Sequence, residues 1–487
     1  MVMWKFNDHA AFSDELVCAA GTTRMRLAIW PAVEQPLEPV GIPAAASDLP
    51  PDGSCRSSAF AVIGLWSATL LLLSLVTVVC AQEIQTPGPT LASLMRQIGE
   101  AQKRSDVAGV RAIAEQAKAL LGTDAGVSDK SERLREVPAN VPPITKSEIR
   151  MGFGPYGREI LRRRWWRVGD DPTQSDHPLR DIASIVVGCT FACRAECADK
   201  DAILDVAKSG GDYLVWAQEQ AGKGLFPFPA RRDGKERAFV VSERFLKKAE
   251  VEGRIDEVTR NGWLVDDLGD GGLQYDNGVC GVAVLELYRL THDARYLKAA
   301  KQAADWAIAQ PTVPNWNYNS FSIYLLSELA RETGDAKYLQ AAVNKAKLGL
   351  YPGQLTEGPH RGRWFDPHNA EVAYHYVIAR SLVALAAALK DDGVERPQAV
   401  NALRLALEAR DPEFTGGTIP DVESALEALV LLQQYLPESS REIGKVQQLA
   451  ALRAVADYCV ANVRAGRLPV APSAWGRYLN YARETAE

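Results

Sequence analysis

Apolar residues recur at helical spacing along most of the chain after about residue 178, and strand-like alternation is almost absent. Segments 291–310 and 333–354 each open with an Asp, continue with Tyr-Leu and present an Ala-rich face, about 42 residues apart. Segments 210–229 and 455–472 resemble each other more distantly. Self-similarity at this period, with two helices per unit, predicts a repeat of helical hairpins. An open solenoid and a closed ring both fit.

The turns between the helices alternate in chemistry. One set is short, as in LTHDARYL and ETGDAKYL, whereas the other is long and rich in polar and aromatic residues. The long turns precede helices expected from about residues 277, 318, 367 and 421. If the two sets alternate as outer and inner layers, all inner helices begin at one end, here called the mouth. Segment 377–389 is apolar nearly all round, as expected of an inner helix.

The pattern therefore predicts an all-α fold, an (α/α)-toroid of about six helical hairpins over residues 147–487. Segment 82–146 combines a Pro-rich lead, an Ala-rich helical pattern and the linker VPANVPPI, which predicts a helical N-terminal extension. Residues 1–58 show no clear period and are interpreted as an unstructured preface or an over-extended start.

Segment 59–81 is almost wholly apolar and ends in Val79, Cys80 and Ala81, a small-residue cleavage pattern. It predicts a signal peptide and hence an exported protein, periplasmic or extracellular. The segment is also long enough to span a bilayer, so an uncleaved membrane anchor stays an alternative.

Composition narrows the function classes. The chain has 487 residues, a formal net charge of -6 and a pI near 5.7, which argues against nucleic acid as a partner. Walker, dinucleotide-binding, HExxH and GxSxG motifs do not occur in the sequence, so no cofactor is predicted. The run CTFACRAEC contains three cysteines at four-residue spacing. It fits a packed helix face better than a soft-metal or iron–sulfur site.

Four acids crowd into the long turn DDLGDGGLQYDNG: Asp266, Asp267, Asp270 and Asp276. Crowding raises the pKa of one carboxyl above another, which glycoside cleavage requires when one group donates a proton and another stays ionised. Asp276, Asp267 and Asp270 are therefore candidate catalytic residues. A helix N-cap at Asp276, a solvated loop and a calcium site are the alternatives.

The turn VPNWNYNS contains a second candidate cluster. Aromatic faces stack on sugar rings and amides bind hydroxyl groups, so Trp316, Asn317 and Asn319 are candidate substrate-binding residues. Tyr318 is a candidate proton carrier in β-elimination. The alternative is a turn with a core Trp.

The third cluster is WFDPHNAEVAYHY, in which Asp366 and Pro367 look like the start of a helix. His368, Glu371 and His375 then share one helical face. We expect both histidines to point into the mouth, with Glu371 orienting one of them. A transition-metal site and core histidines are alternatives. No metal site is predicted, because the adjacent arginines would repel a cation.

The segment HRGRW just upstream supplies further candidates. Arg361 and Arg363 can fork onto a carboxylate, so an acidic ligand is expected at the mouth. His360 and Trp364 are assigned to substrate binding with them, as is Asp366. A solvated loop is the alternative.

Repeats such as GLQYDNGVCGVAVLELYRLTHDARYLKAAKQAADW make residues 182–481 resemble the six-hairpin glycosidase superfamily. Its (α/α)-toroids include unsaturated glucuronyl hydrolases and uronate polysaccharide lyases. In the hydrolases an acid followed closely by Gly opens an inner helix, and Asp276-Asn277-Gly278 is similar to that position. The resemblance implies a second acid, which falls among Asp266, Asp267, Asp270 and Asp366.

The combined reading is an exported enzyme that cleaves a uronic-acid-containing saccharide by hydrolysis or β-elimination. Asp276 with Asp267 or Asp270 would transfer protons in a hydrolase, and Tyr318, His368 and Arg361 would act in a lyase. The alternatives are a non-catalytic glycan-binding toroid and a sugar epimerase, which also uses paired histidines in this architecture. Export argues against the epimerase.

Overall fold

The computed structural model describes residues 88–436 and 445–485. The preface 1–58 and the apolar segment 59–81 lie outside these residues, so the interpretation of each remains a prediction. Within the described ranges, no helix is both long and apolar enough to cross a membrane.

Helices account for most of the described chain, and the strands are five two-residue segments. The helices are α1 (Leu91–Lys103), α2 (Val107–Leu121), α3 (Lys146–Met151), α4 (Gly154–Arg163), α5 (Leu179–Arg194), α6 (Lys200–Ala221), α7 (Arg237–Val251), α8 (Ile255–Val258), α9 (Gly272–Thr291), α10 (Ala294–Ala309), α11 (Trp316–Thr333), α12 (Ala336–Gly349), α13 (Val372–Ala388), α14 (Arg396–Arg410), α15 (Glu423–Tyr435), α16 (Lys445–Arg464) and α17 (Pro472–Thr485). The strands are β1 (Arg135–Glu136), β2 (Phe228–Pro229), β3 (Thr259–Arg260), β4 (Trp263–Leu264) and β5 (Thr418–Ile419).

Six helices form a closed inner ring in the order α5, α9, α11, α13, α15 and α17. Each packs on the next, and α17 packs back on α5. The outer helices α6, α10, α12, α14 and α16 each pack on the inner helix that precedes them, and α3 packs on α17. The predicted all-α (α/α)-toroid of six helical hairpins is therefore confirmed, with a closed ring and not an open solenoid.

The repeated turn sequence explains how the outer helices begin. The Asp293 side chain caps α10 by accepting from the Arg295 N–H at 2.9 Å, and Asp335 caps α12 by accepting from the Lys337 N–H at 3.0 Å. The inner helices are apolar on most faces, because an inner helix contacts two ring neighbours and an outer partner. In α13 nearly every residue from Ile378 to Ala386 is buried.

Glycines allow the inner helices to approach closely. A Cβ at Gly278 of α9 would lie 2.7 Å from the carbonyl oxygen of Phe321 on α11. Gly188 of α5 and Gly476 of α17 face each other where the ring closes, and a Cβ on either would meet the backbone of the other helix. Ring closure therefore requires small residues at this contact.

Two predicted helix starts are wrong. Helix α9 begins at Gly272, after Gly271 in a left-handed conformation, so Asp276 lies in its second turn and is not an N-cap. Helix α13 begins at Val372 and not near Pro367. The reason is that the Asp366 side chain accepts from the Asn369 N–H at 3.0 Å and closes a separate turn first.

The N-terminal extension contacts the mouth. After α2, residues 125–137, here called the strap, run along the starts of α13 and α15. The Gly126 N–H donates to the Phe365 carbonyl at 2.9 Å, and β1 pairs with β5 antiparallel, with Arg135 opposite Ile419. The extension therefore contributes to the rim of the mouth, a role that its sequence did not indicate.

Candidate active site at the mouth

A buried ion pair lies where the inner helices begin. The Arg180 Nε on α5 donates to the Asp276 Oδ1 on α9 at 2.8 Å, and the Arg180 Nη2 donates to Oδ2. Only 1% of Asp276 is exposed. Burial raises the pKa of Asp276, and the Arg180 guanidinium opposes that rise. The two-point contact fixes the orientation of the carboxylate and favours its ionised form.

Aromatic rings surround this pair. The Arg180 guanidinium lies 3.8 Å from the Tyr275 ring, which stacks on Phe321 at 4.1 Å. The positive charge of Arg180 acts to lower the pKa of both Tyr318 and Tyr374. Burial nevertheless raises the pKa of Tyr318 to about 12, and it raises that of Tyr374 further. The mouth thus offers apolar ring faces and neutral hydroxyl groups next to a charged pair, a combination suited to a sugar.

The other predicted acids have different environments. Asp267 is buried, and its Oδ1 accepts from the Gly271 N–H at 2.6 Å. Its Oδ2 is buried without a hydrogen-bond partner among the described residues. Burial, followed by the charge of Asp270, raises the pKa of Asp267 well above its usual value. Asp270 is half-exposed and accepts from Arg244 at 2.7 Å. Asp267 is therefore the carboxyl most suited to carry a proton.

His368 and Glu371 lie together at the rim. The His368 Nδ1 is 3.6 Å from the Glu371 Oε1, and the His368 ring lies 4.3 Å from that of Tyr374. Lys130 of the strap contacts the same Glu371 oxygen at 2.9 Å. Burial alone would raise the pKa of Glu371, but His368 and Lys130 outweigh it and lower that pKa. A strap residue thus belongs to the site.

His375 lies away from the mouth, so its predicted orientation is wrong. Its Nε2 is 2.8 Å from the Ala406 carbonyl oxygen on outer helix α14, and its ring lies against Trp364 at 5.3 Å. Burial, aided by the charge of Arg410, lowers the pKa of His375 well below its usual value. His375 therefore packs α13 against α14, as a neutral core histidine.

Three members of the VPNWNYNS cluster are structural. The Asn319 amide donates to the Val313 carbonyl at 2.7 Å and accepts from the Val313 N–H at 2.9 Å. The Asn317 N–H donates to the Asn369 side chain at 2.9 Å. Trp316 is fully buried. These contacts hold the loops before α11 and α13, and the expected contacts of these three residues with substrate are not supported.

The arginines of HRGRW are already paired. The Arg361 Nη1 is 3.6 Å from Glu408 on outer helix α14, and the Arg363 Nη2 is 2.6 Å from Glu413. His360 is on the same loop, and burial lowers its pKa. The loop therefore lies over α14, where acidic partners offset both cations, and the predicted anion trap at this position is not supported.

Trp364 and Asp366 also serve the loop. The Trp364 indole N–H donates to the Leu350 carbonyl at 3.1 Å, and its ring is buried. The Asp366 Oδ1 accepts from both the backbone and the side-chain N–H groups of Asn369. Both contacts hold the loop in place, and the Asp366 Oδ2 is buried without a hydrogen-bond partner among the described residues.

The charged residues inside the ring were not predicted from the sequence, although the pattern of the inner helices contains a signal for them. Inner helices are apolar nearly all round, so a single charge in such a helix points to the interior. Examples are Glu286 in GVAVLELYRL, Glu328 in IYLLSELAR, Arg380 in VIARSLVA and Glu427 in SALEALVL. At the end of the ring opposite the mouth, Glu286 and Glu328 accept from Arg289 at 2.9 and 2.8 Å.

Metal ligands are not grouped in the part of the chain that the structure describes: no three His, Cys, Asp or Glu side chains are placed to hold an ion. Cys189, Cys193 and Cys197 are buried, and burial raises the pKa of each thiol. The helix-packing interpretation of CTFACRAEC fits this environment.

Comparison with known proteins gives limited similarity. No family model and no curated protein matches the chain. Among solved structures, a polysaccharide lyase is similar with 12% identity and a TM-score of 0.43, covering 70% of this chain and 96% of that one. A glycosyl hydrolase family 88 protein from Bacteroides vulgatus is similar with 12% identity and a TM-score of 0.42, covering 70% and 99%. Similarity of this extent does not establish an activity.

Proposed function

We propose that this chain hydrolyses a glycosidic bond in a saccharide that contains uronic acid. The observation that carries the proposal is the contrast between two buried carboxyl groups at the mouth. Arg180 holds Asp276 in a two-point ion pair, whereas the Asp267 Oδ2 lies buried without a partner among the described residues.

Glycoside hydrolysis requires such a contrast. One carboxylic acid protonates the leaving oxygen, and a second, ionised carboxylate acts as nucleophile or activates water. Asp267 fits the proton donor, because burial raises its pKa well above the usual value and so favours the protonated form. Asp276 fits the ionised partner, because Arg180 opposes the effect of burial on its pKa and fixes the orientation of the carboxylate. Tyr275, Tyr318 and Tyr374 provide surfaces on which a sugar ring can lie.

β-Elimination is the second candidate, and the rim residues favour it. His368 lies beside Glu371 and the Tyr374 ring at the rim, and an imidazole at this position can serve as the base in β-elimination. Tyr318 suits this route less well, because a pKa of about 12 makes it a poor base at neutral pH.

The test uses saturated and unsaturated oligosaccharides of glucuronate and galacturonate. Hydrolysis of a saturated substrate releases reducing ends without new ultraviolet absorbance, whereas elimination adds the absorbance of an unsaturated uronide. Cleavage of an unsaturated substrate by hydrolysis removes that absorbance. We expect Asp276→Asn and Asp267→Asn to lower kcat by at least about a hundredfold, because general acid–base groups contribute 10²–10⁴.

Asp293→Asn is the matched control. It changes the same residue type at an outer-helix N-cap, and we expect unaltered turnover. Full activity of Asp276→Asn together with loss of activity in His368→Gln would indicate that the reaction is elimination and not hydrolysis. Binding without turnover of any oligosaccharide would instead identify a glycan-binding protein, and interconversion of free sugars would identify an epimerase.

We also propose that segment 59–81 directs the protein out of the cytoplasm, because polymeric saccharides are encountered outside it. It is supported by the apolar run and the small residues at its end. Fractionation of the cells that make the protein tests this. Recovery of full-length chain in the cytoplasm alone would contradict export, and recovery in the membrane would favour the anchor.

A further inference from the structure

Two arginines lie deeper in the ring than the Arg180–Asp276 pair. Arg380 of α13 is 5.8 Å from the ring of Phe321, which in turn stacks on Tyr275 beside Arg180. The Arg477 Nη2 on α17 donates to the Tyr324 hydroxyl on α11 at 3.1 Å. This last contact joins helices that are not neighbours in the ring, so it crosses the interior and forms the floor of the mouth.

The floor has unused hydrogen-bond donors. The Arg380 Nη1 donates to Glu427, but its Nε is buried and makes no hydrogen bond to any described residue. The Nη1 of Arg477 is likewise buried without a partner there, and only 3% of Arg477 is exposed. Buried guanidinium N–H groups are costly when unpaired, so they indicate a missing acceptor.

The chemistry of the unpaired donors indicates that the missing acceptor is an anion. Both donors belong to guanidinium groups, which stay charged in proteins. The Glu427 carboxylate pairs with Arg380 and also acts on Arg477, as does Glu286. Neither carboxylate accepts a hydrogen bond from the Arg380 Nε or the Arg477 Nη1. A further carboxylate could accept from these groups, because a planar guanidinium is suited to bind it.

The residues that lead from the mouth to Arg380 are not completely buried. Arg180, Tyr275 and Arg380 all retain partial exposure, and they follow one another down the interior. Arg361 and Arg363, by contrast, are paired with acids on the outer side of the ring. Recognition of an acidic sugar is thus better explained by the interior arginines than by the loop.

We propose that Arg380 and Arg477 bind the carboxylate of a uronate unit at the floor of the mouth. This inference deepens the proposed function, because it assigns the substrate carboxylate to a position below the Arg180–Asp276 pair. Binding does not require turnover, so the site can be tested whether or not the chain cleaves a glycosidic bond.

The experiment is a binding titration of the whole chain with five probes: D-glucuronate, D-galacturonate, D-glucose, D-galactose and acetate. We expect at least one uronate to bind more tightly than its neutral counterpart. Arg477→Gln should weaken uronate binding at least tenfold and leave neutral-sugar binding unchanged. Arg380→Gln should do the same, although it also removes the partner of Glu427.

Two further variants serve as controls for misfolding. Tyr324→Phe removes only the hydroxyl that orients Arg477, and we expect a smaller loss of uronate affinity. Arg295→Gln changes an exposed arginine at the start of α10, and we expect no change. Three results would overturn the proposal: no saturable uronate binding by the wild type, undiminished binding by Arg477→Gln, or acetate binding as tightly as the uronates.

Discussion

Replacing Arg180 by Met tests whether the ion pair at the mouth is as buried as the structure implies. The variant keeps a straight apolar side chain and removes both N–H groups that bind Asp276. With only 1% of Asp276 exposed, water cannot replace them. Removing one partner of a buried pair costs about 3 to 5 kcal/mol, so we expect a loss of that size in the free energy of unfolding near pH 8.

The loss should depend on pH with a defined sign. Without Arg180 the folded-state pKa of Asp276 rises further above its unfolded value of 3.8. A carboxyl with a raised folded-state pKa contributes stability that is complete below the unfolded pKa and is lost as pH rises through the folded pKa. The destabilisation by Arg180→Met should therefore be smaller at pH 5 than at pH 8.

Urea unfolding followed by circular dichroism at both pH values measures the effect. Asp276→Asn and the double variant complete a cycle, for which we expect a coupling of about 2 to 3 kcal/mol. The exposed pair Arg295 and Asp293 is the control, with an expected coupling below about 1 kcal/mol. Equal coupling in the two cycles, or a loss independent of pH, would refute the reasoning.

Three further predictions concern the ring, a buried acid and the loop. Gly476→Ala should lower the free energy of unfolding by about 1 to 3 kcal/mol, because the added Cβ meets the backbone of α5. Thermal melts measure this loss, and an unchanged melting temperature would contradict the close contact. Burial raises the pKa of Asp411 to about 7, so the wild type loses stability as pH rises through 7, whereas Asp411→Asn does not. Urea titrations should show equal stability at pH 4 and a more stable variant at pH 8. Equal stability at pH 8 would argue against that pKa. Replacing Arg361 and Arg363 together by Gln should weaken uronate binding less than about twofold, because Glu408 and Glu413 already offset both charges. A tenfold loss would show that the HRGRW loop binds the anion after all.

The alternation of short and long turns was sufficient to predict the toroid, because it follows from how the ring is built. Inner helices must be apolar on most faces, and their starts must all lie at one end. That end is where DDLGDGGLQYDNG and VPNWNYNS come together in the structure. The partner of Asp276 could not be predicted in the same way. Arg180 lies 96 residues away and starts an ordinary-looking helix.

The errors at His375 and in HRGRW share a physical cause. Residues at i and i+7 share a face only when one helix contains both of them, as was expected for His368 and His375. Helix α13 instead begins between them, at Val372, so the two side chains do not share a helical face. The direction of Arg363 depends on Glu413, which lies 50 residues further along the chain. Such long-range partners leave no local pattern.

The central claim is that the mouth cleaves a glycosidic bond by hydrolysis with Asp276 as the ionised carboxylate. Mass spectrometry of products formed from glucuronate and galacturonate oligosaccharides in ¹⁸O-labelled water tests it most directly. We predict that wild-type protein incorporates one labelled oxygen into each product pair and that Asp276→Asn forms almost no product. Products without label, lighter by one water than hydrolysis products, or undiminished labelled product from Asp276→Asn, would contradict the account.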